Sequence, residues 1–390
     1  MSQLRIYLDN SATTQVDTEV LNAMLPLFCD AYGNPNSLHK FGRDAHKLVE
    51  IARGQVASLI NADPEEIIFT GSGSEADNLA IKGTAFALSK KGKHIITSAI
   101  EHHALLNSLN WLQEIGFDYT ILPVNRQGIV DPKELKKAIK PDTILASVMY
   151  GNNEIGTIEP IAELGAICRE KGVLFHTDAV QAAGHVKIDV KKIPVDLMSM
   201  AAHKMYGPKG IGALFLRKGL ELTPIIHGGG QESGKRAGTE NTPAIVGFGA
   251  AAEKAVFRLS DGTTEKIKKL RDKLINGLLE KIPEIELTGH REKRLPFHAS
   301  FCVKYIEGES MLLLLDSEGI AASSASACSA GNFEPSHVLL ACGYDHISAH
   351  GSLRFTLSCN TTDEDIDRLL LKFPPIVEKL RAISPFYSSK

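Results

Sequence analysis

Seven short apolar runs alternate with amphipathic stretches between about residues 65 and 216: IIFT, HIITSA, DYTILPV, TILASVM, VLFHTD, DLMSMA and GALFLR. Strand-length runs separated by helical patterns restrict this region to an α/β fold with a mainly parallel sheet flanked by helices. Polar residues that directly follow such runs then fall at strand C-terminal ends, the edge where open α/β sheets bind ligands. Two segments do so with unusual chemistry. HTDAVQ (His176 to Gln181) follows VLF, and AAHKMYGPKGIG (Ala201 to Gly212) follows DLMSM. Asp178, Gln181, His203 and Lys204 are therefore expected on one edge of the sheet.

An amine at the end of a buried strand is costly as a cation, which suits a lysine that forms a Schiff base with an aldehyde. Pyridoxal 5'-phosphate is such an aldehyde, and a carboxylate that keeps its ring nitrogen protonated makes the ring an electron sink. Lys204 and Asp178 are the candidates for these two tasks. A lone lysine is more often a surface loop residue and a lone aspartate a helix cap, so it is the joint pattern that carries the reading.

Other segments point at the same edge. FTGSGSEADN (Phe69 to Asn78) reads as strand, glycine turn and helix, so N–H groups near Gly73 and the Ser74 hydroxyl form a candidate phosphate cradle. It departs from the G-x-G-x-x-G dinucleotide pattern, which disfavours a nicotinamide enzyme. His102 and His103 follow the HIIT strand, where an imidazole can stack on a flat cofactor and move protons. Asn153 follows the next strand and is either a ligand contact or a turn residue. Arg354, alone in the apolar LRFTL, serves as a bidentate carboxylate clamp or as a structural ion pair. GGGQESGKRAGT (Gly228 to Thr239) reads as a basic, glycine-rich loop with anion-binding potential.

The remaining chain supplies a second, smaller unit. Helices are expected over Pro243 to about Leu259 and Thr264 to Ile282, with SDGTT as the linker. Strand HASFCV, helix ESMLLLLDSEG, helix SHVLLAC, strand LRFTLS and a closing helix after Asp363 read as α+β. The expected division is a large domain over 15–259 and a small one made of 1–14 and 260–390. The N-terminal arm should pack on the small domain. A serine and alanine stretch, AASSASACSA (Ala321 to Ala330), has no bulky apolar residue and reads as an exposed loop carrying Cys328, about 321–333.

Composition narrows the partners. The 390 residues carry a net charge of −3 without a long basic block, which speaks against nucleic acid as a partner. No signal-peptide pattern or membrane-length apolar run is visible, so a cytoplasmic location is expected. The six cysteines lack a C-x-x-C pair, which argues against a zinc site and a disulfide framework.

With YLDNSATT (Tyr7 to Thr14), GNPNSLHKFGR (Gly33 to Arg43) and SSASACSAG (Ser323 to Gly331), these motifs occur in order almost end to end. The chain resembles the cysteine desulfurases, in the group with the longer cysteine loop, within the class V branch of fold type I PLP-dependent enzymes. The resemblance implies that Lys204 holds the cofactor and shuttles the Cα proton, that Asp178 pairs with the ring nitrogen, and that Gln181 bonds the phenolic oxygen. It implies that His102 stacks over the ring as acid or base. Gly73, Ser74 and His203 would hold the phosphate, joined by Thr239 from the other subunit of a homodimer. Asn153, also near the cofactor, and Arg354 would orient the carboxylate of L-cysteine. Cys328 would take its sulfur as a persulfide, leaving alanine, for delivery to an acceptor or iron–sulfur scaffold protein. Two positions differ from the common pattern: Ala201 stands where a serine usually helps bind the phosphate, and Cys359 where arginine is frequent. The competing expectations are a selenocysteine lyase or class V aminotransferase, and a non-catalytic sulfur carrier or scaffold.

Overall fold

The computed structural model describes residues 5–324 and 335–387. After β1 (Ile6–Tyr7) come β2 (Ile67–Thr70), β3 (His94–Ser98), β4 (Asp118–Leu122), β5 (Thr143–Ser147), β6 (Leu174–Asp178), β7 (Leu197–Ala201) and β8 (Gly212–Leu216). Strands β2 to β8 form one sheet in the order β2-β8-β7-β6-β5-β3-β4. The apolar runs at 67–70, 143–147, 197–201 and 212–216 are buried along their whole length, as strands covered by helices on both faces must be. β4 lies at the edge, and its side chains are largely accessible.

The pairs from β4 through β7 are parallel, whereas β8 runs antiparallel to both β7 and β2. The reason is local: the connection from Ala201 to Gly212 contains only a short 3-10 turn, and a parallel return requires a longer crossover. The two predicted helices before and after residue 260 span Thr242–Arg258 and Thr263–Lys281. The sheet is thus mainly parallel, with one antiparallel strand inserted.

The C-terminal part adds β9 (Ile285–Leu287), β10 (His298–Val303), β11 (Ile320–Ala321) and β12 (Ser352–Thr356). β12, β10 and β9 form an antiparallel sheet in that order, backed by the helix Asp363–Ile383. β1 pairs in parallel with β11, and a bridge joins Asp9 to Thr356. This pairing draws the segment after Tyr7 between the two sheets. One continuous apolar cluster spans both, from Phe175 and Phe248 to Phe301, Phe355 and Phe373.

Candidate active site

The C-terminal ends of β3, β5, β6 and β7 each deliver a polar residue to one place. Asp178 ends β6, Lys204 closes the turn Ala202–Lys204 after β7, and His102 caps the helix His103–Glu114 after β3. Asn153 follows β5. Opposite them, Gly73 opens the helix Gly73–Ala87, whose N-cap Ser72 accepts the Glu75 N–H at 3.1 Å. A Cβ on Gly73 would lie 2.7 Å from Val180 Cγ2, so only glycine permits this close approach.

Together these residues line a cavity of about 290 Å³ with Ser74, Gln181, His203, Ala201 and Arg354. Larger clefts of about 490 and 440 Å³ lie elsewhere, but neither joins a strand-end lysine to a helix N-terminus. Lys204 Nζ donates to the carbonyl oxygens of Ser11 and, at 2.8 Å, Ala12. Gln181 Nε2 also donates to the Ser11 carbonyl, at 3.0 Å. The N-terminal arm therefore supplies the acceptors that hold both side chains. Arg354 donates to Asn153 O at 2.9 Å and to Asp9 Oδ1 at 3.0 Å, while its Nε has no partner. The arginine is thus part of an ion pair and of the cavity wall together.

Electrostatics behind the cavity floor are dominated by burial. Desolvation pushes Asp178 above the usual carboxylate range, although His102 and Lys204 pull it down. Burial also raises Asp77 strongly, with Asp178 adding repulsion. Glu101 is pushed up to about 8 by the same desolvation. Histidines move the other way: burial lowers His102, and it takes His203 down to about 4. A buried carboxylate with a raised pKa is well matched to a cationic partner, such as a protonated ring nitrogen.

Of the residues expected from sequence, Gly73, Ser74, His102, Asn153, Asp178, Gln181, His203, Lys204 and Arg354 all line this cavity. Thr239 does not; it lies exposed on the loop after Gly234. Cys328 lies outside the described residues. Sequence reasoning missed Asp77, which also lines the cavity, and whose Oδ1 has no hydrogen-bond partner. A signal existed: Gly73, Ala76, Asp77, Ala80 and Ile81 form one buried helical stripe, and a carboxylate within such a stripe is anomalous. Ser11 was also missed; its Oγ is buried without a partner.

Pyridoxal phosphate fits this donor set. The helix N-terminus at Gly73 suits an anion. The strand-end amine suits an aldehyde, and the Asp178 carboxylate suits a protonated ring nitrogen. The buried Ser11 Oγ has no hydrogen-bond partner and shows polar capacity that the protein itself does not use, and Asp77 Oδ1 has only the His176 ring at 3.8 Å.

Residues 6–369 match the family described as aminotransferase class-V. A protein named cysteine desulfurase IscS from Methanosarcina thermophila is 53% identical over 380 residues, covering 97% of this chain and 94% of the relative. One of the same name from Dictyoglomus turgidum is 52% identical, covering 98% and 96%. Among solved structures, a NifS-like protein aligns with a TM-score of 0.91 at 39% identity, covering 97% of this chain and 100% of the other. A structure described as SspA in complex with cysteine aligns at 0.81 with 36% identity, covering 92% and 100%.

Proposed function

We propose that this chain, which belongs to the aminotransferase class-V family and within it to the cysteine desulfurases, converts L-cysteine to L-alanine and keeps the sulfur as a persulfide on Cys328. The observation that carries this reading is the convergence of Lys204, Asp178, His102 and Gly73 on one cavity, in a chain that also holds Cys328. Pyridoxal phosphate is the cofactor of this family, and when bound it draws electron density away from the substrate's Cα.

The chain's own groups divide the remaining work. Gly73, Ser74 and His203 would hold the phosphate, and Asp178 would keep the ring nitrogen protonated. Lys204 Nζ is the amine that would bond the cofactor and then carry the Cα proton. Arg354 and Asn153 would fix the substrate carboxylate, and His102 would move a proton at the reacting end. The Cys328 thiolate attacks Sγ of L-cysteine; the S–S bond forms as the Cβ–S bond breaks. The released electron pair stays with carbon, which is protonated and leaves as alanine. Carbon is reduced and sulfur oxidised within one step, so no outside oxidant is needed.

The persulfide is suited to delivery to an acceptor protein, for iron–sulfur cluster assembly or a related sulfur transfer. A homodimer in the cytoplasm is the setting we propose, with Thr239 completing the partner's site. Its support is the exposed position of Thr239 and a set of exposed apolar residues, Leu25, Phe28, Tyr32, Leu38 and Phe41, near the N-terminus. The test is L-cysteine turnover by purified holoenzyme, with alanine and reductant-released sulfide quantified beside Cys328→Ala. Equal amounts of the two products, both lost in the variant, support the reading. Full turnover by Cys328→Ala sinks it.

A further inference from the structure

The Asn153 carbonyl joins the loop after β5 to the C-terminal sheet. Neighbouring N–H groups of that loop are satisfied from within it: Asn152 Oδ1 accepts from Glu154 N at 2.8 Å and Ile155 N at 2.9 Å, and the Asn152 carbonyl accepts from Gly156 N at 3.0 Å. The Asn153 carbonyl instead takes two donors from the facing sheet, Arg354 Nη1 at 2.9 Å and His298 Nε2 at 3.0 Å. Strand register brings these donors together. On antiparallel β10 and β12, Ser300 lies opposite Arg354 and His298 opposite Thr356, so His298 and Arg354 are diagonal neighbours on one face.

His298 is fully buried, and its protonation follows from its contacts. A carbonyl only accepts, so Nε2 carries the ring proton. Nδ1 is buried without a partner beside Gly156, where a Cβ would lie 2.6 Å from it. A second proton there would have no acceptor, and burial, followed by the nearby Arg294 and Arg354, pushes the pKa well below the usual histidine range. The ring therefore stays neutral. A neutral donor suits this place, because a lysine or arginine would add another buried cation beside Arg354.

Arg354 spends one hydrogen of Nη1 on Asn153 and one of Nη2 on Asp9 at 3.0 Å, which leaves one on each of these nitrogens for a carboxylate. The aim of that pair depends on how Asn153 holds the fork. One hydrogen bond leaves a carbonyl free to swing about its donor, whereas two from different directions fix its plane. We propose that His298 is a positioning residue for the substrate carboxylate, because its bond fixes the Asn153 carbonyl on the Arg354 fork and so sets both carboxylate-binding residues in one frame. This rests on the desulfurase reading above. His298 does not itself line the cavity, so its effect runs through Asn153 and Arg354. Misplacing such groups by about 1 Å can cost on the order of 100-fold.

The experiment titrates holoenzyme with two probes, L-alanine, which carries the carboxylate but no sulfur, and ethylamine, which lacks the carboxylate, following the cofactor absorbance. His298→Leu is expected to weaken L-alanine about 10- to 100-fold and ethylamine by less than about threefold. KM for L-cysteine should rise by a similar factor with kcat nearly unchanged. His298→Gln, which restores an uncharged donor of similar reach, is expected to recover most of the L-alanine affinity. Should His298→Leu not fold, His298→Asn, whose amide is too short to reach the carbonyl, is expected to show the same selective loss. Wild-type L-alanine affinity in the variant without the donor would overturn the inference, as would an equal weakening of both probes, or a loss that His298→Gln fails to relieve. If wild type neither forms alanine from L-cysteine nor prefers L-alanine to ethylamine, the desulfurase reading falls and takes this inference with it. If wild type does both and the variant keeps the preference, only the inference falls.

Discussion

His102 accepts the backbone N–H of Ala104 at its Nδ1, at a distance of 3.1 Å. A ring nitrogen that accepts cannot carry the proton, so neutral His102 is the Nε2–H tautomer, with Nε2 as the nitrogen available to the cavity. Burial lowers its pKa, so the neutral form dominates at pH 7. His102 is then a donor in the resting site and takes up a second proton only with difficulty. Nitrogen NMR of the holoenzyme is expected to show protonation at Nε2 alone around pH 7. His102→Gln, which donates but does not titrate, is expected to lower kcat about 100- to 10,000-fold while the protein stays yellow. A protonated Nδ1, or near-normal turnover by the variant, would overturn the assignment.

Glu101 gives a stability signature with a definite sign. Its carboxylate is buried, accepts from Ser98 Oγ and from Met149 N at 2.9 Å, and is raised from 4.5 to about 8. An acid whose folded pKa exceeds its unfolded value binds more protons when folded, so stability falls as pH rises from about 4.5 to about 8. Glu101→Gln keeps the acceptor oxygen and removes this loss. The stability of the variant relative to wild type should therefore increase between about pH 5 and pH 8.5, by on the order of 2–4 kcal/mol. Thermal midpoints at the two pH values check it; an unchanged gap would show that Glu101 does not titrate with folding. His203, lowered to about 4, acts in the opposite direction and costs stability below about pH 6.5.

Both the strands of the large sheet and the residues at their ends were legible because burial imposes a recognisable pattern. VLFHTD and DLMSMA are apolar runs that end in polar groups, and Asp178 and Lys204 sit where those runs stop. The antiparallel course of β8 is written in the short connection from Ala201 to Gly212 and not in the composition of the strand, so a reading of the apolar runs alone passes over it. Asp77 escaped for a different reason: within GSEADN it follows the first-turn acid Glu75 and looks like another acid near a helix start, and only the buried stripe through Gly73 and Ala80 sets it apart. The holding of Lys204 by Ser11 and Ala12 joins residues nearly two hundred positions apart, and no local pattern encodes that.

The sequence allows Arg354 to be a carboxylate clamp or a structural ion pair, and the geometry places it for both. It bonds Asp9 and Asn153, its side chain is 2% exposed, and it still lines the cavity. Arg354→Lys keeps the charge but loses the planar fork. KM for L-cysteine is expected to rise about 10- to 100-fold, corresponding to a loss of about 1.5–3 kcal/mol for a charged hydrogen bond, with cofactor binding retained. Stability is expected to fall as well, since Asp9 loses a partner. A KM within twofold of wild type, together with a lowered thermal midpoint, would reduce Arg354 to a structural role.

Thr239 gives the sharpest test of assembly. Its loop is tied down by Glu232, which accepts from Arg53 Nη1 at 2.8 Å and Nη2 at 2.9 Å, and from Phe69 N at 3.0 Å. Glu232 and Ser233 hold φ values of +49° and +54°, a conformation that non-glycine residues adopt at a cost, and Thr239 lies exposed further along the same loop. If Thr239 serves the partner's phosphate site, Thr239→Val should weaken cofactor binding about 10- to 100-fold in the pure variant. Lys204→Ala should abolish covalent holding of the cofactor. A hybrid dimer of one Lys204→Ala chain and one Thr239→Val chain separates the geometries. With Thr239 acting in trans, one of its two sites has both Lys204 and a partner Thr239, so half of the sites regain wild-type affinity and turnover. With Thr239 acting within its own chain, no site in the hybrid is complete and affinity stays low. Titrating the hybrid with pyridoxal phosphate and following absorbance distinguishes these outcomes, and a native mass of a single chain would remove the dimer itself.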